Sequence, residues 1–281
     1  MNRRHSQLGF TMIEMIMVIV ITGIIGSIVA VFLRAPIQQY MDVSRRADMT
    51  DIADTALRRV GRDLRLALPN SVRRVGACAG DNPSPCLIEF LPTTGGGRYR
   101  AGAGGDALDF LSDTDSTFDV LAAAGQGVDV ANGDSIVIYN LGIPGADAYE
   151  GTSRRNAAAP FGAGLTNIAF DPAGVQFPFD SPSQRFQVIS TPVTYACDGL
   201  GNLWRYWGYA IQVNQPSTVA VLNGLVGVQS ALMASKVSFC NFIYDPNVVA
   251  QRSGLITMNL GITEDGETVT LYSATHVSNV P

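Results

Sequence analysis

Glu14 is the only charged residue in an apolar run that extends from Phe10 to Leu33. A carboxylate in hydrocarbon is costly unless it reaches water or meets a positive partner, and intramembrane ionisable residues are functional candidates for that reason. A carboxylate and an ammonium attract each other more strongly in a low dielectric than in water, whereas either one alone carries a desolvation cost. The chemistry that Glu14 predicts is therefore ion pairing with an incoming cation.

Residue types for catalysis are scarce. The chain has two histidines, His5 near the N-terminus and His276 in the last predicted strand, so a Ser-His-Asp site would have to be built on His276. No GxSxG, HExxH or Walker-type motif occurs. The stretch TTGGGRYRAGAGG (93–105) lacks the GKS/T ending and is predicted to be a flexible loop. We therefore expect no enzymatic activity and no cofactor.

An acidic stretch could supply oxygen ligands to calcium. The alternation of Asp113 and Asp115 matches the start of an EF-hand loop, but the Gly and the distal Glu of that loop are missing. We expect a solvated loop and no metal site. The acidic residues are Asp106, Asp109, Asp113, Asp115 and Asp119.

Four aromatic residues cluster in one predicted strand, at Trp204, Tyr206, Trp207 and Tyr209. Strand alternation predicts Trp204 and Tyr206 on one face, and Arg205, Trp207 and Tyr209 on the other. An exposed aromatic face would bind sugars, as an adhesin needs. Burial in the core, under a helix or against a neighbouring subunit is the commoner use of such residues, and both interpretations stay open.

The four cysteines fall into two local groups, and none belongs to a CxxC pair. Four cysteines allow three connectivities, which the sequence alone does not decide. Their even number, their loop settings and a hydrophobic N-terminus of export type favour two disulfides formed outside the cytoplasm. We favour Cys78–Cys86, which would close the loop CAGDNPSPC, and Cys197–Cys240, which would join two predicted strands. Buried free thiols are the alternative.

The net charge of -5 argues against a general nucleic-acid binder, because such proteins collect Lys and Arg to neutralise phosphates. One run of arginines could suggest a patch for nucleic acid or anionic lipid. Acidic residues interrupt the same run, and mixed signs weaken a single-sign field, so we expect a solvated or subunit-facing side of a helix. The residues concerned are Arg58, Arg59, Arg62, Arg65, Asp51, Asp54 and Asp63.

The element that must position Glu14 is an N-terminal helix. Residues 1–9 are short, polar and basic, and the 24 residues of 10–33 would span about 36 Å, enough for a hydrocarbon core of about 30 Å. Arg3 and Arg4 are expected on the cytoplasmic side, which places everything after the run outside that compartment. A secretory signal peptide fits poorly, because the run is too long and no small-x-small cleavage site follows it.

Small residues form a stripe on the same helix. Thr22, Gly26 and Ala30 recur every four positions, a spacing that lets a second helix approach closely. Together with Glu14, this stripe predicts a helix that packs against other helices in addition to anchoring the chain.

Residues 34–68 are predicted to continue the helix as an amphipathic, extramembranous segment. Apolar residues return at helical spacing, with charged residues on the opposite face. Pro36 cannot donate a helical hydrogen bond and disfavours helix at the preceding residue, so a kink or a short break is expected there. Pro69 and Asn70 are the predicted terminator.

Residues 69–281 are predicted to form one antiparallel β body, which with the helix gives an α+β fold. Asp265 and Gly266 mark a hairpin, and residues 222–235 are predicted to add a short helix. Between 143 and 186, the abundance of Gly, Ala, Pro and Asn predicts long surface loops rather than a second core. Strands are predicted at 87–91, 107–111, 117–121, 135–141, 185–191, 193–197, 203–211, 237–244, 254–262 and 268–277.

The stretch GFTMIEMIMVIVITGIIGSIVA resembles the class III signal of type IV prepilins and pseudopilins. The resemblance implies that the prepilin peptidase, which is also an N-methyltransferase, cuts between Gly9 and Phe10 on the cytoplasmic face. Phe10 then becomes the N-methylated first residue, and residues 1–9 are a cleaved leader. The resemblance further implies that Glu14 pairs with the amino terminus of a neighbouring subunit during assembly. The fold it implies is pilin-like, with a long kinked helix packed on an antiparallel sheet.

Three further stretches are similar to MshO-type minor pseudopilins of the mannose-sensitive haemagglutinin (MSHA) pilus system, which are in turn similar to J-type minor pseudopilins of type II secretion. This likeness is best in the N-terminal and C-terminal thirds and implies a minor subunit that primes or caps a pilus. The stretches are SRRADMTDIADTALRRVGRDLRLALPNSVRRV, CDGLGNLWRYWGYAIQ and YDPNVVAQRSGLITMNLGITEDGETVTL.

The partners that this likeness implies are other pilin or pseudopilin subunits, the pilus assembly platform, the prepilin peptidase and membrane lipid, and no nucleic acid. The implied location is the bacterial inner membrane, crossed once, with the body in the periplasm and incorporation into a pilus as an option. A J-type subunit of a type II secretion system and a membrane-anchored sugar-binding adhesin remain the alternatives.

Overall fold

The computed structural model describes residues 9–76, 78, 85–123, 126–171, 176–245 and 253–281. The chain divides into two compact units, Met1–Asp48 and Met49–Pro281. In the described part, the first unit is helical, and the second contains the end of the same helix and all the strands. Arg3, Arg4 and His5, to which the sequence analysis refers, lie outside the described residues.

The elements of the second unit are numbered here in chain order. Besides the long helix α1 (Met12–Leu64), they are β1 (Arg73–Gly76), β2 (Cys86–Phe90), β3 (Thr93–Arg98), β4 (Thr117–Asp119), β5 (Val128–Val130), β6 (Ser135–Ile138), β7 (Arg154–Ala158), β8 (Gly162–Leu165), β9 (Asn167–Phe170), β10 (Arg185–Ile189), β11 (Val193–Cys197), β12 (Asn202–Trp207), α2 (Val219–Asn223), β13 (Gln229–Ser235), β14 (Val237–Asp245), β15 (Ser253–Glu264) and β16 (Glu267–Ser278). All pairings between these strands are antiparallel, which gives the predicted α+β fold.

Helix α1 continues without interruption through Pro36, so the predicted short break is not found. The predicted kink stays a prediction. Proline has no backbone N–H, which costs nothing in the first turn of a helix, where that N–H has no helical acceptor. Pro36 lies well inside α1, so one backbone carbonyl lacks its helical hydrogen-bond donor. Apolar and straight-chain residues dominate both flanks, and these residues favour helix strongly.

The helix ends at Leu64, four residues before the predicted end at Leu68. Leu68 donates its backbone N–H to the carbonyl of Leu91 at 2.7 Å, and the carbonyl of Leu66 accepts from the N–H of Thr93 at 2.7 Å. Pairing with Leu91 and Thr93, at the junction of β2 and β3, therefore takes these residues out of the helix before Pro69 can act as the terminator.

The part of α1 from Met49 onward buries one face against the body. The buried residues recur at intervals of three and four, as expected for one stripe of a helix. This burial explains why Met49–Leu64 belongs to the same compact unit as the sheets, although the predicted amphipathic segment began at residue 34. The buried residues are Met49, Ala53, Ala56, Leu57, Val60, Gly61 and Leu64.

Three sheets and one two-stranded ribbon form the body. The strand orders are β1-β2-β11-β12-β13, β3-β10-β6-β7-β9-β4, β14-β15-β16 and β5-β8. The first and third sheets share a hydrophobic core with α1, and the second sheet closes over a separate core of aromatic and β-branched residues. The second core includes Tyr99, Phe118, Ile168, Phe170, Phe177 and Phe186.

The predicted absence of a second core between 143 and 186 is thus wrong. Strands β7, β8 and β9 lie in this region, and Ile168 and Phe170 are buried in the second core. The strands are short and rich in Gly and Ala, so the alternation that identifies a strand covers only a few residues of each. Their burial depends on partners that are distant in sequence, such as Phe118 in β4.

The prediction of a flexible loop for TTGGGRYRAGAGG is also wrong in its first half, which forms β3. A Cβ added at Gly96 would lie 2.8 Å from the carbonyl oxygen of Phe186 in β10, and one added at Gly97 would lie 3.1 Å from the Phe186 ring. The glycines therefore mark a close approach between strands rather than a loop.

Two further local predictions need correction. Residues 107–111, predicted as a strand, are irregular and end in a turn at 110–111. Half of 222–235, predicted as a helix, forms β13 beside β12. Only Val219–Asn223 is helical, with the side chain of Thr218 accepting a hydrogen bond from the N–H of Val221 as its N-cap. The long strands, including the hairpin turn at Asp265, are where the sequence predicts them.

Candidate functional site

The predicted processing bond, between Gly9 and Phe10, lies just before α1 in non-helical backbone. Phe10 is 85% exposed. A peptidase needs an accessible substrate outside a helix, and both conditions hold at this bond. The structure does not test whether cleavage or methylation occurs, so both remain predictions.

Thr11 caps the helix that begins one residue later. Its Oγ1 accepts a hydrogen bond from the backbone N–H of Glu14 at 3.4 Å, and its carbonyl accepts from the N–H of Met15 at 3.2 Å. Thr followed three residues later by Glu is the capping-box spacing, which the sequence analysis missed although the pattern was present. Thr11 thus fixes the start of the helix beside the processing bond.

Glu14 occupies the third position of α1, where the helix dipole favours a carboxylate. Its side chain is exposed, and within the described residues it forms no ion pair. The structure therefore places Glu14 next to the segment that carries Gly9 and Phe10, but supplies no cation for it. Any ion-pair partner of Glu14 therefore lies outside the described residues.

The small-residue stripe is exposed as well. Thr22, Gly26 and Ala30 are all open, and a Cβ added at Gly26 would meet nothing within 4 Å. Every large apolar side chain from Phe10 to Leu33 is exposed, Val29 the least at 48%. By length and composition, α1 can cross a membrane, and its most apolar window has no burial within the chain. Such an all-round apolar surface requires lipid or other helices.

The structure contains both favoured disulfides. The Cα atoms of Cys78 and Cys86 are 4.8 Å apart, and those of Cys197 and Cys240 are 6.3 Å apart, both within the range of disulfide geometry. The first pair lies beside β1 and β2, although residues 79–84 of the predicted loop are outside the described part. The second joins β11 of the first sheet to β14 of the third. No cysteine is free.

The aromatic residues of β12 are used in packing. Tyr206 and Tyr209 are buried in a small cluster with Leu222 of α2, and Trp204 packs against the same cluster while its indole N–H donates to Asp198 at 3.1 Å. The prediction that Tyr209 shares a face with Trp207 is wrong, because the strand ends at Trp207 and the backbone turns through Gly208.

The other face of β12 is directed toward α1. The guanidinium of Arg205 lies 4.8 Å above the Trp207 ring and donates to the carboxylate of Asp63 at 2.9 Å. Tyr195 of β11 donates to the same carboxylate at 2.8 Å. Burial, with the nearby charge of Asp63, raises the pKa of Tyr195. These contacts attach the helix to the sheet.

The aspartates of the acidic stretch 106–119 stabilise loops by accepting hydrogen bonds. Each of its five aspartates accepts a hydrogen bond from protein: for example, Asp119 accepts from Asn167, and hydrogen bonds from Asn167 and from the Asp106 N–H lower the pKa of Asp119. Among the described residues, no group of three His, Cys, Asp or Glu side chains could hold a metal ion. The remaining acceptors are Asp106, Asp109, Asp113 and Asp115.

His276 lies on the exposed face of β16, opposite Leu255 of β15. In the part of the chain that the structure describes, no hydrogen bond joins it to a serine or a carboxylate. The residues that a Ser-His-Asp site needs are thus not assembled around this histidine.

A buried charge network is the main feature that the sequence analysis missed. Glu89 is fully buried in β2, and the guanidinium of Arg73 in β1 donates to its carboxylate at 2.6 and 2.9 Å. Thr194 and Tyr209 donate to the other carboxylate oxygen at 3.1 and 2.9 Å. Burial and the charge of Glu89 raise the pKa of Tyr209. Because every partner is within the protein, this network is structural.

Comparison with known proteins locates one match. Residues 4–30 match the family model described as the prokaryotic N-terminal methylation motif. The matched segment contains the processing bond, Glu14 and the small-residue stripe. None of the curated proteins or solved structures that were compared matches the chain.

Proposed function

We propose that this chain is a minor pilin or pseudopilin subunit of an MSHA-type pilus. Its N-terminal motif is type IV prepilin-like, and its elements are consistent with a pilin-like fold. It acts by association, priming or capping the filament through α1, and not as an enzyme. The observation that carries the proposal is the methylation motif on a helix whose apolar surface has no partner among the described residues.

The exposed apolar surface of α1 suits two successive environments, first the lipid bilayer and then the packed helices of a filament. A helix of this length is stable in the bilayer, where its backbone groups are satisfied internally. Lipid gives no hydrophobic drive for helix association, so close packing of small residues and polar pairs must supply it. Thr22, Gly26 and Ala30 provide the close approach, and Glu14 provides the polar pair.

Glu14 is the recognition element in this proposal. Cleavage after Gly9 would create a new ammonium at Phe10, four residues before the carboxylate. In a filament, the amino terminus of one subunit pairs with Glu14 of its neighbour, and each charge relieves the desolvation cost of the other. The absence of any cation beside Glu14 within the described residues supports a partner from another chain.

The two disulfides support a periplasmic location for the body. Disulfides form and persist in oxidising compartments, of which the bacterial periplasm is one. Among the described residues, one helix, near the N-terminus, is long and apolar enough to cross a membrane, which supports a single-pass inner-membrane protein with the body in the periplasm. The prepilin peptidase, the assembly platform and other pilin subunits are the proposed partners.

Mass spectrometry of the mature N-terminus tests the proposal. We expect a chain that begins at N-methylated Phe10 when the protein is expressed with its cognate peptidase. Gly9→Leu should block cleavage, since a bulky residue replaces the glycine beside the scissile bond. Gly23→Ala, in the same apolar run but away from that bond, is the matched control and should be processed fully.

An intact N-terminus in the unmodified chain, or a cut beyond residue 30, would show that this is not a pilin-like subunit. A J-type subunit of a type II secretion system would pass the same test. Co-purification of the processed chain with pilus subunits rather than secretion subunits separates these two. The packing of Trp204 and Tyr206 counts against the sugar-binding alternative, which glycan-array binding lost on Trp204→Ala would support.

A further inference from the structure

Among the described residues, no strand pairs with the outer edge of β16. This strand is the last of its sheet, and in the described residues the backbone of 268–278 is hydrogen-bonded to β15 alone. An unpaired row of N–H and C=O groups is a template for another extended chain.

The geometry of the hairpin turn determines which backbone N–H and C=O groups of β16 point away from β15. Asp265 and Gly266 both have positive φ, as a two-residue type I′ turn requires, so Glu264 and Glu267 exchange both backbone hydrogen bonds. Bonded and non-bonded pairs then alternate along an antiparallel ladder. The N–H and C=O groups that point away from β15 therefore belong to Thr268, Thr270, Tyr272, Ala274 and His276.

This edge lacks the usual protection against strand addition. It extends over twelve residues, contains no proline, lysine or arginine, and its register with β15 has no bulge. Proteins normally blunt such edges with charges, prolines, bulges or short strands. A long, regular edge without these devices is suited to a partner.

A positively charged groove runs beside the edge. Arg58, Arg62 and Arg65 of α1 line it together with Ser273 and Thr275 of β16, and its volume is about 290 Å³. The helix approaches closely here, since a Cβ on Gly61 would lie 2.9 Å from Thr275 Oγ1.

The structure separates the mixed charges of this helix. Asp63 is directed to the body, where it pairs with Arg205 at 2.9 Å and with Arg59 at 3.3 Å. Asp54 pairs with Arg58 at 2.7 Å. Among the described residues, no ion pair involves Arg62 or Arg65, and both are exposed. The groove therefore carries net positive charge that the sequence pattern concealed.

We propose that the outer edge of β16 binds an extended segment of a partner protein whose acidic side chains enter the Arg62–Arg65 groove. Main-chain bonds to the edge would give affinity, and the arginines would give specificity. A second copy fits poorly, because antiparallel pairing of two β16 edges would bring two positive grooves together. Binding at this edge does not depend on N-terminal processing; only the identification of the partner as a pilus subunit rests on the proposed function.

Fluorescence anisotropy with the full chain in detergent micelles tests this. The probe is a labelled peptide, Thr-Glu-Val-Glu-Val-Thr-Val, and its counterpart with Gln in place of Glu is the comparison. We expect the Glu peptide to bind at least tenfold more tightly, because charged hydrogen bonds are stronger than neutral ones. Equal binding of the two peptides, or no binding, would overturn the proposal.

Two pairs of variants locate the site. Arg62→Glu with Arg65→Glu should weaken Glu-peptide binding at least tenfold, whereas Arg74→Glu with Arg185→Glu, the same charge change on exposed arginines outside the groove, should not. Ala274→Pro removes an outward N–H that β15 does not use, and should abolish binding; Ala274→Thr keeps this N–H and should bind normally.

Other occupants give different results. Self-association of the full chain that Ala274→Pro abolishes would make the occupant a second copy and overturn the proposal. Binding to anionic lipid vesicles that needs Arg62 and Arg65, together with loss of peptide binding preference, would make the groove a lipid site and also overturn it. Because the uncleaved chain suffices for each assay, failure here leaves the proposed function untouched.

Discussion

The side chains at the start of α1 combine a local structural role with a proposed recognition role. Thr11 accepts the N–H of Glu14, and Glu14 at the third helical position completes the capping-box spacing. The backbone contact with Thr11 does not use the Glu14 carboxylate oxygens, which remain exposed and without an ion-pair partner in the described residues. One residue can therefore support the helix start and still offer its charge to another chain.

Glu14→Gln separates these two roles. Glutamine serves the capping box as well as glutamate does, so the helix and the processing at Gly9 should be unaffected. Loss of the charge should reduce co-assembly with other pilus subunits at least tenfold, because removing one partner of a buried ion pair leaves the other charge unpaired. Pull-down of tagged partner subunits from membranes measures the effect.

Val20→Leu, a volume change in the same apolar run, is the control for general disturbance of the helix. If Glu14→Gln co-assembles as well as this control does, the charge of Glu14 is not the recognition element.

At the scale of elements, two contacts hold strands and helix together through buried polar groups. Arg73 of β1 and Glu89 of β2 form an ion pair whose carboxylate is also satisfied by Thr194 and Tyr209. Asp63 connects α1 to β11 and β12 in the same manner. Buried charges of this kind are tolerated only when every partner is present.

Glu89→Ala should lower the free energy of unfolding by about 3 to 5 kcal/mol, because the partly buried Arg73 guanidinium loses its counter-ion and the buried hydroxyls of Thr194 and Tyr209 lose their acceptor. Glu264→Ala removes the carboxylate of the half-exposed Lys236–Glu264 pair and should cost less than about 1 kcal/mol. Urea unfolding of the full chain in detergent, followed by the fluorescence of Trp204 and Trp207, measures both. Equal losses in the two variants would contradict a structural role for the buried network.

At the scale of the whole molecule, buried tyrosines couple the body's stability to pH. Burial, reinforced by the charges of Glu89 or Asp63, raises the pKa of Tyr149, Tyr195 and Tyr209 above the ordinary value. The unfolded chain releases these protons near pH 10, whereas the folded chain retains them. The stabilisation is therefore complete below about pH 10 and declines as the pH rises further.

The expected decline is about 1.4 kcal/mol per pH unit for each tyrosine that stays protonated in the folded chain. Urea midpoints between pH 9 and 11.5, with absorbance at 295 nm to count phenolates, measure it. Tyr149→Phe should make the slope shallower by one such contribution. An unchanged slope in Tyr149→Phe would show that Tyr149 titrates equally in both states.

The sequence by itself determined the local features of this protein. The apolar run, the small-residue stripe and the Gly9–Phe10–Glu14 spacing are properties of consecutive residues, so no tertiary contact is needed to see them. The long strands β14, β15 and β16 were predictable for the same reason, since their alternation extends over many residues. The sequence favoured the pairs Cys78–Cys86 and Cys197–Cys240 without deciding among the three connectivities, and the tertiary structure decided them.

Only the tertiary structure decided the features that depend on distant partners. Gly96 lies in a strand, β3, because Phe186 of β10 packs closely against it. Leu68 lies outside the helix because its backbone N–H donates to the carbonyl of Leu91. The second core, the burial of Glu89 and the separation of charges along α1 arise in the same way. In each case, the partner that satisfies a backbone or a charge lies many residues away, and periodicity within one segment carries no information about it.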